Sequence, residues 1–156
     1  MLLFKGIGAV GVICAMKGAS LVHAIDINPH AIENARANFK KYNFGEDLCL
    51  AYESDLFENV HTTFDLVLIN PPHQGFEAKD MLERSLTDGN YSLLRRFFSE
   101  VGGYLTKGGI ACTSFSEVGD LKLIEELINK SDLVVEKIIE EQGKVKVFII
   151  ILKKKL

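Results

Sequence analysis

Apolar residues follow two alternating patterns along this chain. Short solid runs read as buried strands, and stripes at spacings of three and four read as amphipathic helices. Residues 1–4 are the stub of a strand, and residues 9–17 continue as a helix that Gly18 closes. A second strand covers 21–27. Asn28 then caps a helix whose first position is Pro29, with Ile32, Ala35, Phe39 and Tyr42 on its inner face. Strands follow at 48–52 and 64–69. The polar loop 74–90 holds a short helix near 81–85, and Leu93, Leu94, Phe97, Phe98 and Val101 mark a longer one. Lys107-Gly108-Gly109 turns the chain into a fifth strand at 110–115, and Leu121, Ile124, Leu127 and Ile128 mark the last helix. Two β-branched runs, 133–139 and 145–152, meet at Gln142-Gly143, with Glu140 and Glu141 in the turn. That is a hairpin, so one closing strand must be antiparallel. The pattern predicts a three-layer α/β fold: a mostly parallel seven-stranded sheet with helices on both faces.

At 156 residues the chain is one domain with a real core. Its net charge of −3 does not advertise nucleic acid, although a local patch or a partner could supply basic charge. Lys153-Lys154-Lys155 reads as a solvated tail, with contact to RNA as the alternative. Cys14, Cys49 and Cys112 are odd in number, widely spaced and set among apolar residues. They read as buried thiols of a cytoplasmic protein, not as a disulfide framework. His23, His30 and His61 have no metal-ligand spacing, so no metal is expected. Residues 1–16 could pass for a signal peptide, but Gly6, Gly8 and Gly11 fit a strand and a glycine turn better. No run is long and apolar enough to span a membrane.

Three places carry chemistry. Gly6-Ile7-Gly8-Ala9-Val10-Gly11 is a tight strand-to-helix turn where missing Cβ atoms let a ligand touch the backbone; packing alone is the other explanation. Asp26 ends the second strand about twenty residues later, where an acid takes ribose hydroxyls or simply closes a local turn. A nicotinamide dinucleotide and S-adenosyl-L-methionine both want that arrangement. The third place is Asn70-Pro71-Pro72-His73, at the carboxyl end of the 64–69 strand. The Asn70 side-chain oxygen and the Pro71 carbonyl can both accept from an NH₂ group. The prolines stiffen the turn, so those acceptors are preorganised.

Asn70-Pro71-Pro72-His73 resembles the Asn-Pro-Pro-aromatic signature of S-adenosyl-L-methionine-dependent N-methyltransferases. The stretch from Ile25-Asp26-Ile27-Asn28-Pro29 to Ala37-Asn38 resembles their second motif, and Ser54-Asp55-Leu56-Phe57 their third. The segment from Thr87-Asp88-Gly89-Asn90 to Lys107-Gly108-Gly109 is similar to that of HemK-like protein-glutamine methyltransferases; RsmC-like RNA enzymes share the Asn-Pro-Pro turn. The resemblance implies a Rossmann-like class I methyltransferase fold and S-adenosyl-L-methionine as cofactor, held by Gly6, Gly8, Gly11, Asp26, Ile27, Asp55, Leu56 and Asn70. Asp55 would accept from the adenine amino group. Asn70, Pro71 and Pro72 would present the target nitrogen, and His73 would stack on it where the family has a larger aromatic ring. Leu2 stands where the family places an acid before the glycines, which puts a firm hold on the cofactor in question.

The expected activity is methyl transfer to a planar amino nitrogen, on a protein glutamine or a nucleobase. The substrate is then protein or RNA, with a protein partner as a possible source of recognition, since the chain is expected to lack N-terminal lid or recognition helices. A degenerate, non-catalytic cofactor-binding subunit is the alternative. A nicotinamide-linked oxidoreductase accounts for the glycines and Asp26 but not for the Asn-Pro-Pro turn or the hairpin.

Overall fold

The computed structural model describes residues 1–4, 8–73, 75, 87 and 89–155, with residues 2–4 as backbone. The parallel strands are β1 (Leu2–Phe4), β2 (Val22–Asp26), β3 (Cys49–Glu53), β4 (Phe64–Ile69) and β5 (Leu105–Ser116). The closing hairpin is β6 (Leu133–Glu141) and β7 (Val147–Lys154). They form one seven-stranded sheet in the order β3-β2-β1-β4-β5-β7-β6. β7 runs antiparallel to both β5 and β6, as the hairpin requires. Four helices are described: α1 (Ala9–Met16), α2 (Pro29–Lys41), α3 (Ser92–Glu100) and α4 (Leu121–Lys130). The short helix expected near 81–85 lies outside the described residues.

Local chemistry ends the helices where the sequence says it should. Gly18 is left-handed, at φ +94°, and lets the Gly18 and Ala19 N–H groups close α1 onto the Ala15 and Cys14 carbonyls. The Asn28 side chain accepts from the His30 N–H at 3.0 Å and Pro29 follows it, so α2 starts with a donor satisfied. Asp120 caps α4 through the Leu123 N–H at 3.0 Å.

The two sheet faces bury different sets of residues because strand side chains alternate. Val22 and Ala24 of β2 join Val12, Ala15, Ile32, Ala35 and Phe39 beneath α1 and α2. Ile25, their neighbour, points into the larger cluster with Val67, Ile69, Leu94, Phe97, Phe115 and Ile124 beneath α3 and α4. Helices therefore cover both faces, as expected.

Four details differ from the sequence reading. Tyr42 is 48% exposed because α2 ends before it and the chain turns away. Leu121 is 39% exposed at the start of α4, while Leu123 is buried in its place. Glu140 and Glu141 belong to strand β6, and Glu140 pairs with Lys146 at 3.7 Å. Lys107-Gly108-Gly109 does not precede β5 but lies inside it. Phe64 pairs with Leu105 while Leu66 pairs with Ile110, so the extra residues of β5 loop out as a bulge. Gly108 takes φ +85° there, and Thr106 Oγ1 donates to Asp65 Oδ1 at 2.7 Å.

A Cβ on Gly109 would sit 2.8 Å from the Phe64 carbonyl oxygen, which is backbone and cannot swing away. Gly109→Ala should cost about 1–3 kcal/mol through this overpacking. Gly103→Ala is the control, since a Cβ there meets nothing within 4 Å. Urea midpoints of the two variants check the prediction; equal midpoints would remove the bulge contact from the account.

Candidate active site

The chain leaves β1 toward β2 and β3 on one side and places β4 and β5 on the other. In open α/β sheets ligands bind at the carboxyl edge beside such a reversal. The register sets that edge. Phe4 pairs with Ile25 and with Ile69, and Ile69 pairs with Thr113. One residue further along, Asp26, Asn70 and Ser114 therefore share one level of the sheet. Asp26 and Asn70 were expected at this edge; Ser114 was not.

Asn70 is exposed, while Pro71 and Pro72 are buried and anchor the turn. The Ser114 hydroxyl donates to Asn70 Oδ1. His73 Nε2 lies 3.4 Å from the same Ser114 Oγ. The His73 ring leans on Phe115, with centroids 5.6 Å apart and planes at 51°. A Cβ on Gly119 would collide with the His73 carbonyl oxygen, so a glycine is needed where the two loops cross. Asn70, Pro71, Pro72 and His73 sit together at the sheet edge, with Ser114 and Phe115 of β5 as unforeseen neighbours. Only strand pairing could have found those two.

The glycine turn is only partly described, since Gly6 lies outside the described residues. Gly8 precedes α1 at φ +73°, and its Cβ would lie 3.0 Å from Ala35 Cβ. A Cβ on Gly11 would lie 3.1 Å from both Phe39 and Val22. Both glycines therefore let α1 press on α2 and β2. The packing explanation holds for these two, alongside whatever Gly8 offers a ligand at the sheet edge.

Asp26 Oδ1 accepts from the Asn28 N–H at 2.8 Å, and the Asp26 carbonyl accepts from the Ser54 N–H at 3.1 Å. The first contact is the local turn foreseen as one alternative, and it fixes the carboxylate at the end of β2. Ser54 is buried; its hydroxyl donates to the Leu56 carbonyl and accepts from the Asn59 N–H. This holds Leu56 in the left-handed region at φ +50° and turns its side chain inward, to 3% exposure. Ile27 is 69% exposed beside it. A small pocket of about 40 Å³ runs between Ile25, Asp26, Ile27, Asp55, Leu56 and Leu93.

Asp55 carries a partner that the sequence reading missed. Arg96 Nη1 of α3 donates to both its oxygens, at 3.0 and 2.9 Å. The Asp55 hydrogen bond pushes the Arg96 guanidinium above its ordinary range, and Glu100 adds to this. One nitrogen serves both oxygens, so the carboxylate keeps accepting capacity for a ligand. The only sequence hint was a basic residue on the polar face of an amphipathic helix.

A larger cavity, about 720 Å³, lies along the outer edge of β3 between Arg36, Phe39, Phe44 and Tyr52. It contains none of the cofactor-binding or catalytic candidates, so volume alone is a poor guide here.

Cys14, Cys49 and Cys112 are free thiols that burial holds protonated, with their pKa values raised. Among the described residues no cluster could hold a metal ion, and no helix is long and apolar enough to cross a membrane. Lys153 and Lys154 pair with Glu136 and Asp132, and Lys155 Nζ donates to the Ser131 carbonyl.

His23 shares a hydrogen bond with the Tyr52 hydroxyl at 2.9 Å and packs on Phe64. Burial lowers the pKa of His23, as it does that of His73. The unfolded imidazoles titrate near ~6.5. Below that pH the unfolded chain binds protons that the folded chain refuses. Stability is therefore intact above about 6.5 and is lost as pH falls toward the folded values. Denaturant midpoints at pH 7.5 and pH 5.5 should show the drop, and a His23→Phe, His73→Phe double variant should show less of it.

Three comparisons bear on the site. A family model described as methyltransferase small domain matches residues 3–138. The chain is 38% identical over 111 residues to a putative protein N5-glutamine methyltransferase of Methanocaldococcus jannaschii, covering 67% of this chain and 55% of that one. It is 30% identical over 134 residues to a ribosomal protein L11 methyltransferase of Anoxybacillus flavithermus, covering 83% and 39%. The chain thus spans about half or less of the curated relatives it matches. Among solved structures, a ribosomal protein L11 methylase from Lactobacillus delbrueckii subsp. bulgaricus superposes with a TM-score of 0.75 at 16% identity, covering 99% of this chain and 70% of that one. At that identity the likeness speaks for the fold alone.

Proposed function

The chain belongs to the methyltransferase small-domain family, and we propose that it moves a methyl group from S-adenosyl-L-methionine to the side-chain amide nitrogen of a protein glutamine. The observation that carries this reading is the placement of Asn70 at the carboxyl end of β4, level with Asp26 across the switch point. The glutamine assignment draws on the relative named a protein N5-glutamine methyltransferase.

The residues present fit the cofactor. Asp26 stands where ribose hydroxyls would donate, and Asp55 where an adenine amino group would. Ile27 and Leu93 would offer apolar side chains to a purine, and Leu56, its side chain turned inward, would offer its backbone. When bound, S-adenosyl-L-methionine would supply an activated methyl on a sulfonium sulfur, leaving as S-adenosylhomocysteine, with the proton lost from the nitrogen passing to solvent water.

The protein's own task is then to ready a poor nucleophile. An amide lone pair is delocalised into its carbonyl. Asn70 Oδ1 and the Pro71 carbonyl accept the two N–H groups, orienting the nitrogen and favouring a more tetrahedral shape. The buried prolines keep both acceptors in place before the substrate arrives, so no reorganisation is needed at the moment of reaction. His73, held neutral by burial, offers a flat face to the planar amide without placing a second cation beside the sulfonium.

Calorimetric titration with S-adenosyl-L-methionine and S-adenosylhomocysteine is the first test, with NADH as control. Micromolar binding of both, about −8 kcal/mol, and none of NADH is expected. Methyl transfer from radiolabelled cofactor to a glutamine-bearing peptide follows. Binding without transfer to any substrate would favour a non-catalytic partner subunit. Absence of binding would overturn the reading.

A further inference from the structure

We infer that Ser114 is a positioning residue that couples the tautomer of His73 to the orientation of the Asn70 amide; this rests on the reading of Asn70 as the acceptor for the target nitrogen. Among the described residues, Ser114 touches both groups, donating to Asn70 Oδ1 and lying 3.4 Å from His73 Nε2. It comes from β5, the strand paired beside β4, so its place is set by the sheet register and not by the turn itself.

The coupling follows from counting protons. A serine hydroxyl has one O–H to give and lone pairs to receive. Asn70 Oδ1 can only accept, so the single Ser114 proton points at Asn70. Only lone pairs then remain toward His73, and Nε2 must carry the imidazole proton. The chain runs from His73 Nε2–H to Ser114 O–H to Asn70 Oδ1.

The one other self-consistent chain reverses every link. The Asn70 NH₂ would donate to Ser114, Ser114 would donate to His73 Nε2, and the imidazole proton would move to Nδ1. In that arrangement the amide turns its NH₂ where its oxygen had been. An amide oxygen can accept a hydrogen bond from the substrate N–H and an NH₂ cannot. The first chain is therefore the productive one, and Ser114 links the state of His73 to that choice. Asn70 Oδ1 keeps a second lone pair for the substrate while Ser114 occupies the first.

Nitrogen-15 NMR of the His73 ring tests this without any turnover, at pH 8 where the imidazole is neutral. The Nε2–H tautomer is expected in the native protein. Asn70→Ala frees the Ser114 proton to donate to Nε2, so the ring should shift toward Nδ1–H. In Ser114→Ala the ring should no longer respond to Asn70→Ala. A tautomer unchanged by Asn70→Ala, or one that responds equally with Ser114→Ala, overturns the inference.

Kinetics provide the second arm. Ser114→Ala should lower kcat about tenfold with cofactor affinity unchanged, and Ser114→Thr, which keeps the hydroxyl, should restore it. A loss in Ser114→Ala that Ser114→Thr fails to restore would also overturn it. If the native protein methylates no glutamine peptide, the functional reading fails, and the NMR result still decides the role of Ser114.

Discussion

Asn70→Ala is expected to lower methyl transfer by about 100- to 1000-fold while cofactor binding stays within a few-fold. The size follows from preorganised electrostatics, where removing one well-placed group costs roughly 2.7–4 kcal/mol of barrier. Asn70 is exposed and hydrogen-bonded to Ser114, so the fold should tolerate the change. The pocket beside Asp26 and Asp55 is built from other side chains and should be intact. Single-turnover transfer and calorimetry on the same preparation separate the two effects. Asn70 also stood among the expected cofactor contacts. A parallel fall in affinity and rate would give it that role and remove it as the acceptor for the target nitrogen.

Phe115→Ala should be the most damaging core substitution near the site. Phe115 is fully buried and packs against both His73, at 5.6 Å, and Tyr91, at 6.2 Å between centroids. Removing a buried phenyl ring costs about 3–5 kcal/mol, from lost burial and the cavity left behind. That is a large share of a domain's net stability of about 5–15 kcal/mol. With a urea slope of about 1–3 kcal/mol per molar, the midpoint should fall by 1 M or more. Phe115→Leu fills most of the volume and should lose less. Transfer should also fall in folded Phe115→Ala, because His73 loses its backing ring. An unchanged midpoint would mean that α4 closes onto the space, and the packing account of the site would need revision.

Much of the fold was legible because local rules agreed with one another. The caps at Asn28 and Gly18, the apolar run 64–69 and the closing hairpin each depend on neighbours a few residues away. The Asn-Pro-Pro turn was legible for the same reason, since prolines cannot donate to a ladder and so interrupt an interior strand. The errors fall where a distant partner decides. Nothing near Lys107-Gly108-Gly109 reports that β4 offers fewer residues on the other side, so the glycines read as a turn and proved to be a bulge. Tyr42 fits the helical stripe by spacing, but the chain turns before it can be covered.

The candidate site divides along the same line. The candidate side chains, Asp26, Asp55, Asn70 and His73, are visible in order along the chain because strand ends and turns are local features. Their couplings to Arg96 and Ser114 span 41 and 44 residues and exist only once α3 and β5 are docked. A sequence specifies which groups stand at the end of each strand. The register between strands, set by burying one face of each, decides which of those groups come within a hydrogen bond of one another.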